Sequence, residues 1–334
     1  MPRINIQNAI DDDFELVENQ HSLGALEYKN ASSSAEKKAV RSSHAMLDEQ
    51  AKKIGLAELG ASEAFAPSLG ASRHEREWIF TYLGPYYEKQ LLLDVLRRVK
   101  GGKEANVYVC KAHPSLGIDL LAAKLYRPRH FRNLRNDARY RANRNILDER
   151  GKVVHQKVVK GSAYEQELRH ISWLQNEYIT MQTLHAAGLP VPKPLGTGTN
   201  TILMEYLGDI NNPAPALNEI TLSKAEAKRA LDALILAIEG MLASGRIHAD
   251  LSAYNVLYWD DRPVIIDFPQ AVDPRQNPES WPIFLRDVEK ICQYFERYGL
   301  RYSAYSLAQS MWDRQNRGFM PEIPEDLTDP EADA

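Results

Sequence analysis

Apolar residues along this chain recur every three or four positions in some stretches and cluster in short unbroken runs in others. Between Arg73 and Arg98, the residues Trp78, Ile79, Tyr82, Leu91, Leu92, Val95 and Leu96 stand at helix-like intervals and predict a helical stretch. After Val99 the texture changes: Gly101-Gly102 is followed by two β-rich runs, Asn106–Cys110 and Leu120–Tyr126, which predict antiparallel strands. Leu168, Ile171, Leu174, Tyr178, Met181 and Leu184 form one stripe of a helix ended by Gly188 and Pro190, and Thr201–Leu207 reads as a buried strand. Ser223-Lys-Ala-Glu226 is a capping box, in which the serine oxygen takes one orphan backbone N–H and the glutamate reaches back to another. The helix it opens carries Leu231, Leu234, Ile235, Ile238, Met241 and Leu242 inward and stops at Gly245. The last strong helix runs from about Pro282 to Tyr298, with Phe284, Leu285, Val288, Ile291, Cys292 and Phe295 inward and Gly299 closing it.

Composition narrows the classes. At 334 residues, 44% hydrophobic and 26% charged, the chain is globular rather than wholly disordered, with room for one large or two modest domains. A net charge of −4 excludes a chain-wide basic field that would draw it to nucleic acid or membrane. Two cysteines, Cys110 and Cys292, make neither a disulfide framework nor a zinc site and fit a reducing compartment as buried hydrophobes. Met1–Asp13 has no basic start and no apolar core, so no signal peptide is expected, and no run reaches the roughly eighteen apolar residues of a membrane span. The expectation is a soluble, cytoplasmic protein without membrane contact.

Charge also divides the chain locally. Residues 1–70 hold eleven acids against seven Lys/Arg and read as an acidic, flexible leader with one short helix near Met46–Leu59. From Lys124 to Lys160 there are twelve Lys/Arg and three Asp/Glu. The stretch 127–160 within it reads either as a solvated loop or as a contact surface for a phosphate-rich partner such as RNA. The tail from Met320 holds six acids and no base.

The densest chemistry is Ile247-His-Ala-Asp250-Leu-Ser-Ala-Tyr-Asn255 followed by Val264-Ile-Ile-Asp267. Apolar runs flank Asp260-Asp261-Arg262-Pro263, which reads as a hairpin turn. Asn255 lies six residues before Asp261 and Asp267 six after, so a hairpin folded there brings both side chains to its open end. An amide oxygen and a carboxylate with open positions between them suit Mg²⁺ carrying nucleotide phosphates. Asp250, five residues earlier, can approach the same centre and accept a hydroxyl proton. Each acid alone is an ordinary turn former or strand end; the joint spacing H-x-D-L-x-x-x-N…D favours catalysis. Lys124 stands inside an otherwise apolar strand, and a buried ammonium needs an anion, either phosphate or a carboxylate. Glu177 on the striped helix is the preferred carboxylate, with Glu165 and Glu167 as alternatives. Gly101-Gly-Lys-Glu104 places glycines where backbone amides approach phosphates, but it is not a Walker loop, because no G-K-[ST] ending follows.

The blocks G-K-E-A-N-V-Y, A-A-K, W-x-x-x-E, M-E-Y-L-G followed by P-A-P, H-A-D-L-S-A-Y-N and I-D-F-P-Q, in this order, resemble the RIO family of atypical serine/threonine protein kinases. The resemblance covers about residues 95–302 and includes Phe284-Leu-Arg-Asp-Val288. It implies an α+β, two-lobed protein-kinase-like fold with a small antiparallel-sheet N-lobe and a reduced, mainly helical C-lobe, ATP lying between the lobes. It also implies the following layout: a helical extension at 71–98, an N-lobe at 99–207 with the basic insertion 127–160, a C-lobe at 208–302 and a tail at 303–334. By the same resemblance Lys124 holds the α/β-phosphates and pairs with Glu177, and Asp250 is the catalytic aspartate. Asn255 and Asp267 hold Mg²⁺ (or Mn²⁺), Asp267 also accepting phosphate transiently in an ATPase-like cycle. Met204, Glu205 and Leu207 line the adenine hinge, and Lys103 and Val107 belong to the phosphate-loop side. A protein substrate, autophosphorylation and a ribosomal particle or rRNA as partner follow as further expectations.

Lys100 departs from the family pattern, where some members carry another glycine or a serine, and Leu69–Arg98 does not read as a winged helix. No A-P-E block follows Asp267, so a reduced platform for peptide substrates is expected. Two other readings compete: a small-molecule phosphotransferase of the aminoglycoside- or choline-kinase type, which shares the H-x-D…N…D core, and a non-catalytic module using the basic loop on RNA. The G-K-E-A-N-V-Y block speaks against the former and the retained Lys124, Asp250, Asn255 and Asp267 against the latter.

Overall fold

The computed structural model describes residues 65–102, 105–126, 146–148, 151–154 and 163–317. The helix expected near Met46–Leu59, Lys103, the acidic tail and nearly all of the basic stretch 127–160 lie outside the described residues. The chain divides into two compact units, the first ending at Asp119 and the second beginning at Leu120.

In the first unit a helix, α1 (Arg73–Glu88), is followed by an antiparallel pair, β1 (Leu92–Gly101) and β2 (Ala105–Ala112). The sequence expectation of helix through Arg98 is corrected here. Gln90 adopts φ 54°, Gln90 N–H bonds Tyr87 O at 2.9 Å and Leu91 N–H bonds Tyr86 O at 2.9 Å, a Schellman ending with glutamine where glycine is the usual signal. Leu92 and Val95 then imitate a helical interval for a different reason. A bulge between Leu92 and Asp94 sets their partners, Ala112 and Cys110, two residues apart, so both side chains face the core. Buried Glu75 on α1 accepts from Tyr108 Oη at 2.8 Å and pairs with Arg98 at 3.5 Å, while Asn106 Nδ2 donates to Tyr108 Oη at 3.1 Å. This network joins α1 to the base of the turn that Gly102 N–H closes on Ala105 O at 3.0 Å.

In the second unit β3 (Leu120–Tyr126), α2 (Ala163–Ala186), β4 (Pro194–Thr197) and β5 (Thr201–Glu205) come first, with β5 antiparallel to both other strands and Lys124 opposite Ile202. The run expected to Leu207 therefore leaves the sheet at Glu205. Next comes α3 (Lys224–Ala243), whose Ser223 and Glu226 form the capping box, Ser223 Oγ accepting from Glu226 N–H at 3.3 Å and Glu226 Oε2 from Ser223 N–H at 2.7 Å. The hairpin β6 (Val256–Trp259) and β7 (Arg262–Ile265) turns on Asp260 and Asp261 alone, both at positive φ (51° and 56°), the two-residue geometry that matches strand twist. Two helices close the unit, α4 (Ser280–Phe295) and α5 (Ala304–Arg317).

The region expected to be only a tail from 303 thus begins with a packed helix. Ala308 and Met311 are buried and Trp312 meets Trp281 and Phe284 of α4; so small an apolar stripe among serines and glutamines gives a faint sequence signal. The core is built from Leu231, Leu234, Ile238 and Met241 of α3 with Ile283, Phe284, Val288, Ile291 and Phe295 of α4. Among the described residues no helix is long and apolar enough to cross a membrane.

Gly208, after β5, stands at φ 137°, and a Cβ there would lie 2.5 Å from Asn212 O and 2.8 Å from Ala214 N. Gly208→Ala is expected to lower unfolding stability by about 2 kcal/mol, from a glycine-only backbone region and a clash with rigid main chain, read as a lower urea midpoint at unchanged slope.

Candidate active site

The chain leaving α3 enters the centre of the second unit through a reciprocal bridge, Ile247 and Val272 exchanging backbone bonds of 2.9 Å. His248 is buried next; its Nε2 lies 3.0 Å from Ile266 O and its Nδ1 takes Asp250 N–H at 3.3 Å. These partners fit the neutral ring protonated at Nε2, and burial pulls the His248 pKa below the ordinary imidazole value, which keeps it neutral. Ala249 stands at φ 68°, a conformation costly for a residue with a Cβ. Asp287 of α4 holds it there: its Oδ2 accepts Ala249 N–H at 2.6 Å and its Oδ1 accepts Leu251 N–H at 3.2 Å. Arg286 donates to Ala249 O from the same helix. Asp250 lies between these clamped neighbours with its side chain 59% exposed, and Lys290 Nζ lies 3.1 Å from its Oδ1.

The hairpin then does what its spacing requires. Asn255 precedes β6 and Asp267 follows β7 by two residues, and Ile266 N–H bonds Asn255 O at 3.0 Å, so both residues stand at the open end. Asn255 Nδ2 donates to Asp250 O at 2.9 Å, which orients the amide, whose Oδ1 is an oxygen of the kind a hard cation takes. Asp267 is at φ 73°, a strained position that aspartate tolerates better than most residues and that is common at functional sites.

Lys124 of β3 completes the group. Its Nζ contacts Glu177 Oε1 at 2.8 Å and Asp267 Oδ1 at 2.6 Å, with the lysine side chain 12% exposed and Glu177 2%. Tyr126 adds a hydroxyl to Glu177 Oε2. Burial pulls the Lys124 pKa down, but the carboxylates of Asp267 and Glu177 outweigh it and hold it well above the ordinary lysine value. Lys124 is thus paired with Glu177, the preferred carboxylate, while the side chains of Glu165 and Glu167 lie outside the described residues. Asp250, Asn255, Asp267, Lys124 and Glu177 all fall in the second unit and are joined by this set of bonds.

The remaining expected residues are placed less tightly. Met204 and Glu205 are half-buried in β5 opposite Ala122 and Leu121, Glu205 N–H bonds Lys193 O at 2.8 Å, and Leu207 O accepts Ala214 N–H at 2.9 Å. Val107 is half-buried in β2 of the first unit. The sequence reading gave no role to Asp287, Lys290, Tyr126 or His248. Asp287 did leave a signal, an acid one turn from both Phe284 and Ile291 on the buried stripe of α4.

Among the described residues no cluster of three or more His, Cys, Asp or Glu has the arrangement of a metal centre. One carboxylate and one amide oxygen fit Mg²⁺, which keeps waters and takes phosphate oxygens instead of a complete protein cage. The sequence model of the RIO domain matches residues 106–307, more than half of the chain. The chain belongs to the RIO domain family. Relatives include the RIO-type serine/threonine-protein kinase Rio1 of Thermoplasma acidophilum, 31% identical over 128 residues, covering 38% of this chain and 66% of that protein. The Rio1 of Haloferax volcanii is 28% identical over 207 residues, 60% of this chain and 63% of the relative. The serine/threonine-protein kinase RIO1 of Chaetomium thermophilum is 27% identical over 223 residues, 64% of this chain and 41% of the relative. The matched region therefore spans less than two thirds of each of these relatives. In fold, the RIO domain is similar to the Rio2 kinase of Chaetomium thermophilum, solved as an ADP/Mg²⁺-phosphoaspartate complex, at TM-score 0.50 and 20% identity over 81% of both chains. The fold is protein-kinase-like.

Asp287 gives this RIO domain a pH signature. Burial pushes its carboxyl up to about 7, against the pull of the Ala249 and Leu251 N–H groups and Arg286. Between pH 4 and 7 the folded chain therefore holds a proton that the unfolded chain releases, so this contribution to stability is full at low pH and lost as pH rises through about 7. Relative to Asp287→Asn, the wild type is expected to lose about 2–3 kcal/mol between pH 5 and 8, measured by urea unfolding at each pH.

Proposed function

We propose that this RIO domain transfers the γ-phosphoryl group of ATP, with Mg²⁺, to a serine or threonine hydroxyl of a protein, or turns ATP over through a transient phosphate on Asp267. The observation that carries this reading is the shared ammonium: Lys124 bridges Glu177 and Asp267, within one bonded network beside Asp250 and Asn255. In this assignment Lys124 holds the α/β-phosphates, Glu177 positions it, and Asn255 Oδ1 and Asp267 hold the metal, which supplies charge neutralisation at the phosphates. Asp250 accepts the hydroxyl proton as oxygen attacks phosphorus and ADP leaves. In the alternative branch an Asp267 oxygen attacks, ADP leaves, and water later releases phosphate. The Leu207 N–H serves as a hinge donor for adenine, beside Met204 and Glu205, and the family resemblance assigns Lys103 and Val107 to phosphate-loop binding.

The family membership supports this reading, as does the kinase-like fold with its ADP- and Mg²⁺-bound relative. A small-molecule phosphotransferase is disfavoured: a single capped helix, α3, leads to the Asp250 loop, leaving little room for a substrate-binding insertion there. The basic stretch 127–160 is proposed to contact rRNA or a ribosomal particle, where clustered Lys/Arg release counterions. Two buried free thiols, Cys110 and Cys292, suit work in the reducing cytoplasm.

With labelled ATP and Mg²⁺, Asp250→Ala is expected to reduce phosphoryl transfer by about 10³-fold or more while ADP affinity stays within a few-fold, and Asp267→Ala to lose the Mg²⁺ dependence of nucleotide binding. Wild-type turnover in both variants would remove the assignment.

A further inference from the structure

One short face of α4 addresses the Asp250 loop with three functional groups, Arg286, Asp287 and Lys290. Arg286 and Asp287 grip the backbone on both sides of Asp250, and Lys290, one turn on, places its ammonium on the Asp250 side chain itself at 3.1 Å. The loop from Asp250 to Asn255 reads Asp-Leu-Ser-Ala-Tyr-Asn and brings no lysine or arginine of its own. Lys124 is held by Asp267 and Glu177, and Arg286 by the Ala249 carbonyl. A phosphoryl group in transfer carries negative charge spread over its three equatorial oxygens, and preorganised cations beside them are a principal source of rate. Among the described residues, Lys290 is the cation paired with the Asp250 side chain.

We propose that Lys290 is a catalytic residue for the reaction assigned above, its ammonium stabilising the transferring phosphoryl group beside Asp250, and that the Asp250 ion pair is the position it occupies before nucleotide and hydroxyl arrive. This rests on the phosphoryl-transfer reading. Stability does not account for the pair: its side chains are 37% and 59% exposed, and ion pairs this open to water contribute little. The long unbranched stem of lysine lets the charge leave Asp250 for a phosphate oxygen without moving α4, whose position is fixed by Asp287.

The experiment compares wild type, Lys290→Met, Lys290→Arg and Asp250→Asn in the full chain, measuring single-turnover phosphoryl transfer or ATP cleavage, the affinity for Mg²⁺·ADP and the thermal midpoint. Lys290→Met is expected to slow the chemical step by about 30-fold or more with Mg²⁺·ADP affinity within about twofold and an unchanged midpoint, and Lys290→Arg to recover most of the rate. A Lys290→Met rate within about threefold of wild type, while Asp250→Asn is inactive, would overturn the role of Lys290 and leave the phosphoryl-transfer reading standing. An equal loss in Lys290→Met and Lys290→Arg, or a loss accompanied by a lowered midpoint, would overturn it in favour of a structural contact. Absence of turnover in wild type, or full turnover in Asp250→Asn, would overturn both.

Discussion

The second unit is organised around one ammonium ion shared by two carboxylates. Lys124, Glu177 and Asp267 are separated by 53 and 143 residues from one end of the triad to the other two members, and their meeting fixes β3, α2 and the segment after β7 relative to one another. A charge so little exposed is costly to desolvate, and only close, hydrogen-bonded partners offset that cost. The arrangement is also asymmetric. Glu177 is buried and further tied to Tyr126, whereas Asp267 is 43% exposed and sits on a left-handed backbone. In the proposed assignment the inner carboxylate holds the lysine and the outer one exchanges it for a metal ion, which leaves Lys124 to phosphate.

Around this centre, the loop from Asp250 to Asn255 has only one short 3-10 turn, Ala253–Asn255, and is held by what surrounds it. His248 bonds the Ile266 carbonyl, Asn255 bonds the Asp250 carbonyl, and α4 supplies Asp287 and Arg286 to the backbone on either side. Two strained residues, Ala249 and Asp267, flank the chemistry and are kept in place by these bonds. Rigidity at the backbone with exposure at the Asp250 side chain is the combination that a group meeting an incoming hydroxyl requires.

Much of this was legible in the sequence where one residue carries one signal. The capping box at Ser223, the stripe of α2 and α4, the hairpin and the spacing of Asp250, Asn255 and Asp267 all correspond to local rules that the chain obeys. The lone lysine in an apolar strand pointed to an acid partner, and Glu177 fills that place. What escaped depended on chain folding at a distance or on an unusual residue in a familiar motif. Gln90 ends α1 where glycine is the usual marker, and a bulge in β1 gives Leu92 and Val95 a helical interval on a strand. Asp287 and Lys290 act on a loop nearly forty residues earlier, and no local pattern names their target. The helix α5 has too narrow an apolar stripe to stand out before Trp281 and Phe284 are known to face it.

The most direct test of the central claim is the crystal structure of this chain with ADP and Mg²⁺. The account predicts Asp267 turned from Lys124 to the metal, with its oxygen and Asn255 Oδ1 at about 2.0–2.1 Å, and Lys124 still on Glu177 but now touching phosphate. A nucleotide bound elsewhere, with the Lys124–Asp267 pair intact and the metal distant from both Asn255 and Asp267, would contradict it.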